Sequence, residues 1–193
     1  MRNQKGYSLI ELVVAAAIVA VLFLSATGAV ESARRRSALL AAVSEVRTAV
    51  MHVRTLAIAR NRNVAIRFTE ESPGRWAWTV YEDGDGDGVR NDDIQKNVDR
   101  RISPTRRIAY TPARIGVPDD PVPDPLNAPA KLQSRPPVRY GASRLCSFNR
   151  HGEVTNGSLV LTDGINAAIV RTWGTTGRVA VLRWNGTVWK TGS

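Results

Sequence analysis

The chain has 193 residues, 43% of them hydrophobic and 23% charged, and a formal net charge of +10. That size and composition suit one globular domain with an appendage. The basic balance raises the odds of an anionic partner, nucleic acid or phospholipid headgroups, but on charge alone the ordinary net charge of a soluble surface is the better reading. Cys146 is the only cysteine, which excludes an intrachain disulfide and a cysteine-based metal cluster, and with only His52 and His151 a zinc site or a histidine triad is poorly supplied.

Residues 1–6, MRNQKG, carry Arg2 and Lys5. From Leu9 to Val30 follow 22 residues with one charge, Glu11, and no proline. At 1.5 Å per residue such a helix covers roughly 30 Å, enough for a bilayer core. A secretory signal peptide has a shorter apolar region that ends in a small-residue cleavage site. Here the apolar run is longer, and the polar stretch that precedes it ends in Gly6. An ionised carboxylate inside an apolar helix costs a few kcal/mol unless paired. Glu11 lies one helical turn from Tyr7. A cut after Gly6 gives Tyr7 an ammonium group, which on one subunit neutralises Glu11 of a neighbour when the helices pack. The simpler alternative is a glutamate reaching out to the membrane interface.

The segment Gly6-Tyr7-Ser8-Leu9-Ile10-Glu11-Leu12 resembles the class III signal of type IV pilins and pseudopilins. The resemblance implies cleavage by prepilin peptidase between Gly6 and Tyr7, N-methylation of Tyr7, and a need for Glu11 in assembly. Tyr7 stands where the family commonly has Phe. It also implies a single-pass protein of a bacterial inner membrane, leader cytoplasmic and head periplasmic. Counting positive charges alone places Arg34, Arg35 and Arg36 inside. The resemblance reverses that, and sets these arginines against anionic headgroups of the outer leaflet.

Beyond the membrane run, Leu39, Val43, Val46, Val50, Val53 and Ala57 recur at steps of four and three, one face of a helix. Arg47 and Arg54 lie on another face, and Asn61 and Asn63 mark its end. One helix is therefore expected from Tyr7 to near Arg60, its stripe packed on a head; a coiled-coil partner is the alternative. Strands are expected at 64–68 and 76–81 around the turn Ser72-Pro73-Gly74. Residues 117–137 hold seven of the ten prolines and read as an extended loop. Four strands close the chain at 158–162, 167–173, 178–184 and 187–190, with turns at Asp163-Gly164, 174–177 and Asn185-Gly186, the last a hairpin signal. The fold class is α+β: a long N-terminal helix, half membrane and half periplasmic, packed on a mainly antiparallel β-sheet head. The divisions are leader 1–6, membrane and assembly helix 7–30, periplasmic helix 31–61 and head 62–193.

That order, the junction Ala57-Ile58-Ala59-Arg60-Asn61-Arg62-Asn63-Val64-Ala65-Ile66 and the closing pieces Gly157-Ser158-Leu159-Val160-Leu161 and Thr176-Gly177-Arg178-Val179 are similar to the GspH/FimT family of minor pilins and pseudopilins. The resemblance implies a structural subunit, not an enzyme, of a type II secretion pseudopilus. Its partners are then prepilin peptidase, other minor and major pseudopilins and the inner membrane. The alternative within the family is a FimT-like minor pilin of a type IV pilus that binds DNA for uptake; a membrane-bound enzyme is a third class, for which no catalytic pattern is present.

Two head segments carry candidate sites. Asp83, Asp85 and Asp87, with Gly88 at the sixth position, have the spacing that wraps oxygens around Ca²⁺. Asn91 and Asp93 are further candidates, while the twelfth position, usually a bidentate Glu, is Ile94. A solvated Asp-Gly turn is the alternative, and no other cofactor is expected. Residues 138–193 carry seven Lys/Arg against Glu153 and Asp163, with Trp173, Trp184 and Trp189 among them. Basic and aromatic side chains on one face bind nucleic acid backbones. The family's DNA motif is Gly-Arg-any-Arg; Gly177-Arg178-Val179-Ala180 supplies Arg178 alone. Arg183 is the next arginine, placed by strand alternation on the other face. Arginines on the wet face of a sheet are the alternative.

Overall fold

The computed structural model of the chain describes residues 8–192, without the side chains of residues 22–27 inside the first helix. The expected cleavage residues Gly6 and Tyr7 lie outside the described residues. The chain divides into two compact units, 1–35 and 36–193.

Helix α1 runs Leu9–Arg60. In the first unit its apolar side chains, Leu9, Ile10, Leu12, Val13, Val14, Ile18, Val19, Val21 and Val30, are all exposed. Glu31 accepts hydrogen bonds from Arg34 Nε at 2.8 Å and Arg35 Nε at 2.9 Å, so two of the three clustered arginines carry their own counter-charge. Among the described residues no helix is long and apolar enough to cross a membrane; the run 9–30 includes residues 22–27, whose side chains fall outside that statement.

In the second unit the stripe Leu39, Val43, Val46, Val50, Val53 and Ala57 is buried throughout. Each valine taken from water contributes about 2 kcal/mol, which ties this half of α1 into the head. The compact unit 36–193 therefore takes in this half of the helix together with the strands that follow. The helix ends in a Schellman motif. Asn61 takes φ +51°, Arg62 N donates to Ala57 O and Asn61 N donates to Ile58 O, both at 3.2 Å.

Two antiparallel sheets follow. The first orders β3 (Arg100–Arg101), β2 (Arg75–Glu82), β1 (Val64–Ser72) and β7 (Leu145–Phe148), with β4 (Arg106–Arg107) also on β2. The second orders β11 (Trp189–Gly192), β10 (Arg178–Trp184), β9 (Ala167–Trp173), β8 (Gly157–Thr162) and β5 (Arg114–Ile115), with β6 (Val138–Arg139) on β8. The helix stripe meets the inner faces of both: Ile66, Phe68, Trp78, Leu159, Val170 and Val181 share its core.

The outer faces are covered as well. Ala65 and Leu145 pack with Val89 and Ile94 of the acidic segment, where helix α2 (Asn91–Gln95) forms. Val160 and Ile169 pack with Val122 and Leu132 of the proline-rich segment. This explains why β1 opens with three consecutive buried residues and β9 with four: strands buried on both faces read as apolar runs, without alternation. Residues 117–137, expected as an extended loop, form an outer layer with a 3₁₀ turn at Leu132–Ser134 and a bridge between Pro123 and Lys131.

Candidate functional site

Glu11 follows Ser8 by three residues at the start of α1, where the N–H groups of Glu11 and Leu12 both donate to Ser8 O, at 3.0 and 3.2 Å. Its side chain is exposed among exposed apolar neighbours. Among the described residues no cation pairs with it. Ser8-Leu9-Ile10-Glu11 also has the Ser-x-x-Glu spacing of a capping box, with Ser8 just before the first helical residue. The spacing was present in the sequence.

The acidic segment brings three expected residues together. Carboxylate oxygens of Asp83, Asp85 and Asp87 lie within 4.8 Å of one another. Asp83 is buried and already held by the chain: Oδ1 accepts from Gly86 N at 2.7 Å, and Oδ2 from Gly88 N at 2.9 Å and Asn63 Nδ2 at 2.6 Å. Burial pushes its carboxyl up, but the bonds from Asn63, Gly86, Gly88 and Asp85 outweigh that and hold it below the ordinary carboxylate range. Asp87 is exposed and moves the other way, raised by local desolvation and by Asp85 and Asp93, against the pull of Arg90 at 2.6 Å. Asp93 thus acts on the cluster without joining the close trio. Asn91 turns Nδ2 to Ser143 O at 3.2 Å, and its Oδ1 is buried with no hydrogen-bond partner among the described residues. Ile94, at the position a bidentate Glu would take, is a core anchor. A second buried carboxylate, Asp99, missed in the sequence, closes the segment by accepting from Gly84 N at 3.1 Å and Arg90 N at 2.8 Å. The trio can hold a divalent cation through Asp85 and Asp87, with Asp83 largely committed to the backbone.

The basic tail does not form one face. Arg139 is in a buried ion pair with Asp124. Arg144 stacks over Trp76 of the first sheet. Arg171 and Arg178 flank Trp173, at 4.8 and 5.5 Å from its ring centroid. Val179 and Val181 point into the helix-side core, so by alternation Arg183 lies on the helix side and Arg178 on the opposite face. Ala180, where the family motif has its second arginine, is buried. Trp184 and Trp189 pack on each other at 5.6 Å, and Trp189 Nε1 donates to Pro123 O at 2.9 Å. They fasten the proline-rich layer, which leaves Trp173, itself half-buried, as the one of the three in contact with arginine side chains.

Two family models match this chain. Residues 1–27 match the prokaryotic N-terminal methylation motif, and residues 42–187 match the type II transport protein GspH. The chain belongs to the GspH family. No curated protein and no solved structure matches it. The GspH match opens at Ala42, inside the buried stripe of α1, and closes before β11. The part of α1 from Ala42 onward therefore lies within the family match, in agreement with its burial. A member of this family is a structural pilin-like subunit carrying a prepilin signal, and the α+β architecture is the one expected.

Proposed function

We propose that the chain is a minor pseudopilin of a type II secretion pseudopilus. Prepilin peptidase cuts it between Gly6 and Tyr7 and methylates Tyr7. The run 9–30 holds it in the inner membrane with the head periplasmic, and assembly draws that run among the helices of other pseudopilins. The observation that carries this reading is the row of exposed apolar side chains from Leu9 to Val21, joined by Val30, of which all but Val30 lie inside the stretch that matches the methylation motif. Such a row is stable only when lipid or neighbouring helices cover it. In a secreting host, Gly6 replaced by a bulky residue should leave the precursor uncut. Glu11→Val should be inserted in membranes but absent from sheared filaments. A Glu11→Val chain found in filaments at the wild-type level removes the assembly role.

A FimT-like minor pilin that binds DNA is the second reading, favoured by the guanidinium groups of Arg171 and Arg178 both lying against the Trp173 ring. Retardation of a short duplex at low salt, lost in Trp173→Ala and Arg178→Gln, would support it. Equal retardation of the wild type and both variants counts against a site at that stack.

A further inference from the structure

Arg183 and Lys190 stand directly opposite each other in the β10–β11 pair. Residues directly opposite share one face, and like charges there are destabilising. No carboxylate relieves them: among the described residues neither makes an ion pair, and neither does Arg36 of α1. All three line one hollow of about 370 Å³ beside Leu39, Leu40 and Val43, with no acidic residue in its wall. Some head arginines are neutralised at short range, as in Arg107–Glu71 at 2.5 Å, Arg90–Asp87 at 2.6 Å and Arg139–Asp124 at 2.6 Å; what sets Arg36, Arg183 and Lys190 apart is that they line one hollow. Arg36 and Lys190 also fall outside both matched stretches, 1–27 and 42–187.

We propose that this hollow takes the phosphate headgroup of an anionic phospholipid. Three unpaired cations from α1, β10 and β11 meet the phosphate, and the leucine and valine wall receives the apolar part next to it. A duplex needs an extended basic surface along its backbone; a hollow of this size with an aliphatic wall suits a single amphipathic phosphate. The proposal rests on the reading that residues 9–30 lie in the membrane. Arg36 follows Val30 by six residues, a chain reach of at most about 22 Å.

The test uses the full chain in neutral detergent micelles, with its unfolding midpoint followed as ligands are added. Dihexanoyl phosphatidylglycerol should raise the midpoint by about 4 °C at tenfold excess over its Kd, and dihexanoyl phosphatidylcholine should not. Arg183→Gln, Lys190→Gln and Arg36→Gln should each abolish the rise, while Arg150→Gln keeps it. Arg183→Gln and Lys190→Gln should also raise the midpoint without lipid, because the facing charges no longer repel. An equal rise with inorganic phosphate means a free-anion site, and a rise with short duplex DNA alone means a nucleic-acid site. An equal rise with phosphatidylcholine means no recognition of charge. Each of these three outcomes overturns the proposal. Resistance of the full chain to carbonate extraction from membranes tests the anchoring reading separately, and the three variants leave it unchanged.

Discussion

Arg139 Nη1 donates to Asp124 Oδ2 at 2.6 Å, and the two side chains are 10% and 0% exposed. Asp124 also accepts from Leu126 N at 2.9 Å and Asn127 Nδ2 at 3.2 Å. One carboxylate thus folds the proline-rich segment on itself and fixes it to β6. Removing one partner leaves the other charged, buried and alone, which costs about 3 kcal/mol, whereas replacing both with apolar residues costs less. Asp124→Ala should lower the unfolding free energy by that amount and open residues 117–137 to proteolysis. Asp124→Leu combined with Arg139→Met should recover part of the loss. A protease pattern unchanged in Asp124→Ala would show that Val122, Leu132 and Trp189 hold the layer without the ion pair.

Glu45 sets up a pH dependence of the opposite sense from that of most native carboxylates. It lines a hollow of about 780 Å³ between α1 and the first sheet, with His52, Trp78, Arg106 and Tyr110. Its Oε2 is buried with no hydrogen-bond partner among the described residues. Burial pushes the carboxyl above its ordinary value of 4.5, partly offset by Arg106. The folded state then holds the proton more tightly than the unfolded chain does. Stability is unaffected by Glu45 below pH 4.5 and declines as pH rises from there through the folded value. Glu45→Gln should therefore raise the unfolding midpoint modestly at pH 7 and leave it unchanged at pH 4. An equal rise at both pH values would point to packing as the cause.

Removal of divalent metal should leave the acidic segment folded. Asp83 and Asp99 take their hydrogen bonds from Gly84, Gly86, Gly88, Arg90 and Asn63, so the backbone is held without a cation. Asp83, with its carboxyl below 3.8, contributes stability that is full above that value and is lost as pH falls through the folded one. Asp83→Ala should cost about 2 kcal/mol, the cost of leaving buried donors unpaired, and should cost it equally in EDTA. Calcium bound by Asp85 and Asp87 would add a rise at millimolar Ca²⁺ that Asp87→Asn removes. A midpoint that collapses in EDTA would show that the segment needs the ion.

The elements legible in the sequence were those marked by a helical repeat of apolar positions or by a short apolar run between turn residues. The stripe from Leu39 to Ala57 and the runs at 64–68, 76–81, 158–162, 167–173 and 178–184 all became the elements their patterns imply. The last strand was displaced. Asn185 Oδ1 accepts from Thr187 N at 3.0 Å and Val188 N at 2.8 Å, so both residues are spent in the turn and pairing starts at Trp189. The strands Arg100–Arg101 and Arg106–Arg107 have no pattern to find, being set by pairing with β2. Prolines correctly argued against a strand in 117–137, but the layer there depends on Asp124 meeting Arg139 and Trp189 meeting Pro123, contacts between distant positions. Within the candidate sites the spacing of Asp83, Asp85 and Asp87 carried through to proximity. The commitment of Asp83 to backbone donors, and the facing of Arg183 by Lys190, needed the fold.

Two physical roles are proposed for Glu11, and one pair of substitutions separates them. In the pairing role its charge neutralises the ammonium group of a neighbouring subunit after the cut at Gly6. In the capping role, three residues after Ser8, its carboxylate would accept from the Ser8 N–H, and its negative charge suits the helix N-terminus. Glutamine keeps the reach of a capping-box side chain and loses the charge. Glu11→Gln should therefore be excluded from filaments as strongly as Glu11→Ala if pairing governs assembly, with the precursor still cut. Ser8→Ala weakens the cap by about 1 kcal/mol and leaves Glu11 charged, so it should be incorporated near the wild-type level. Sheared filaments that contain Glu11→Gln at the wild-type level but lack Ser8→Ala would assign Glu11 to the helix start and leave assembly to the apolar row behind it.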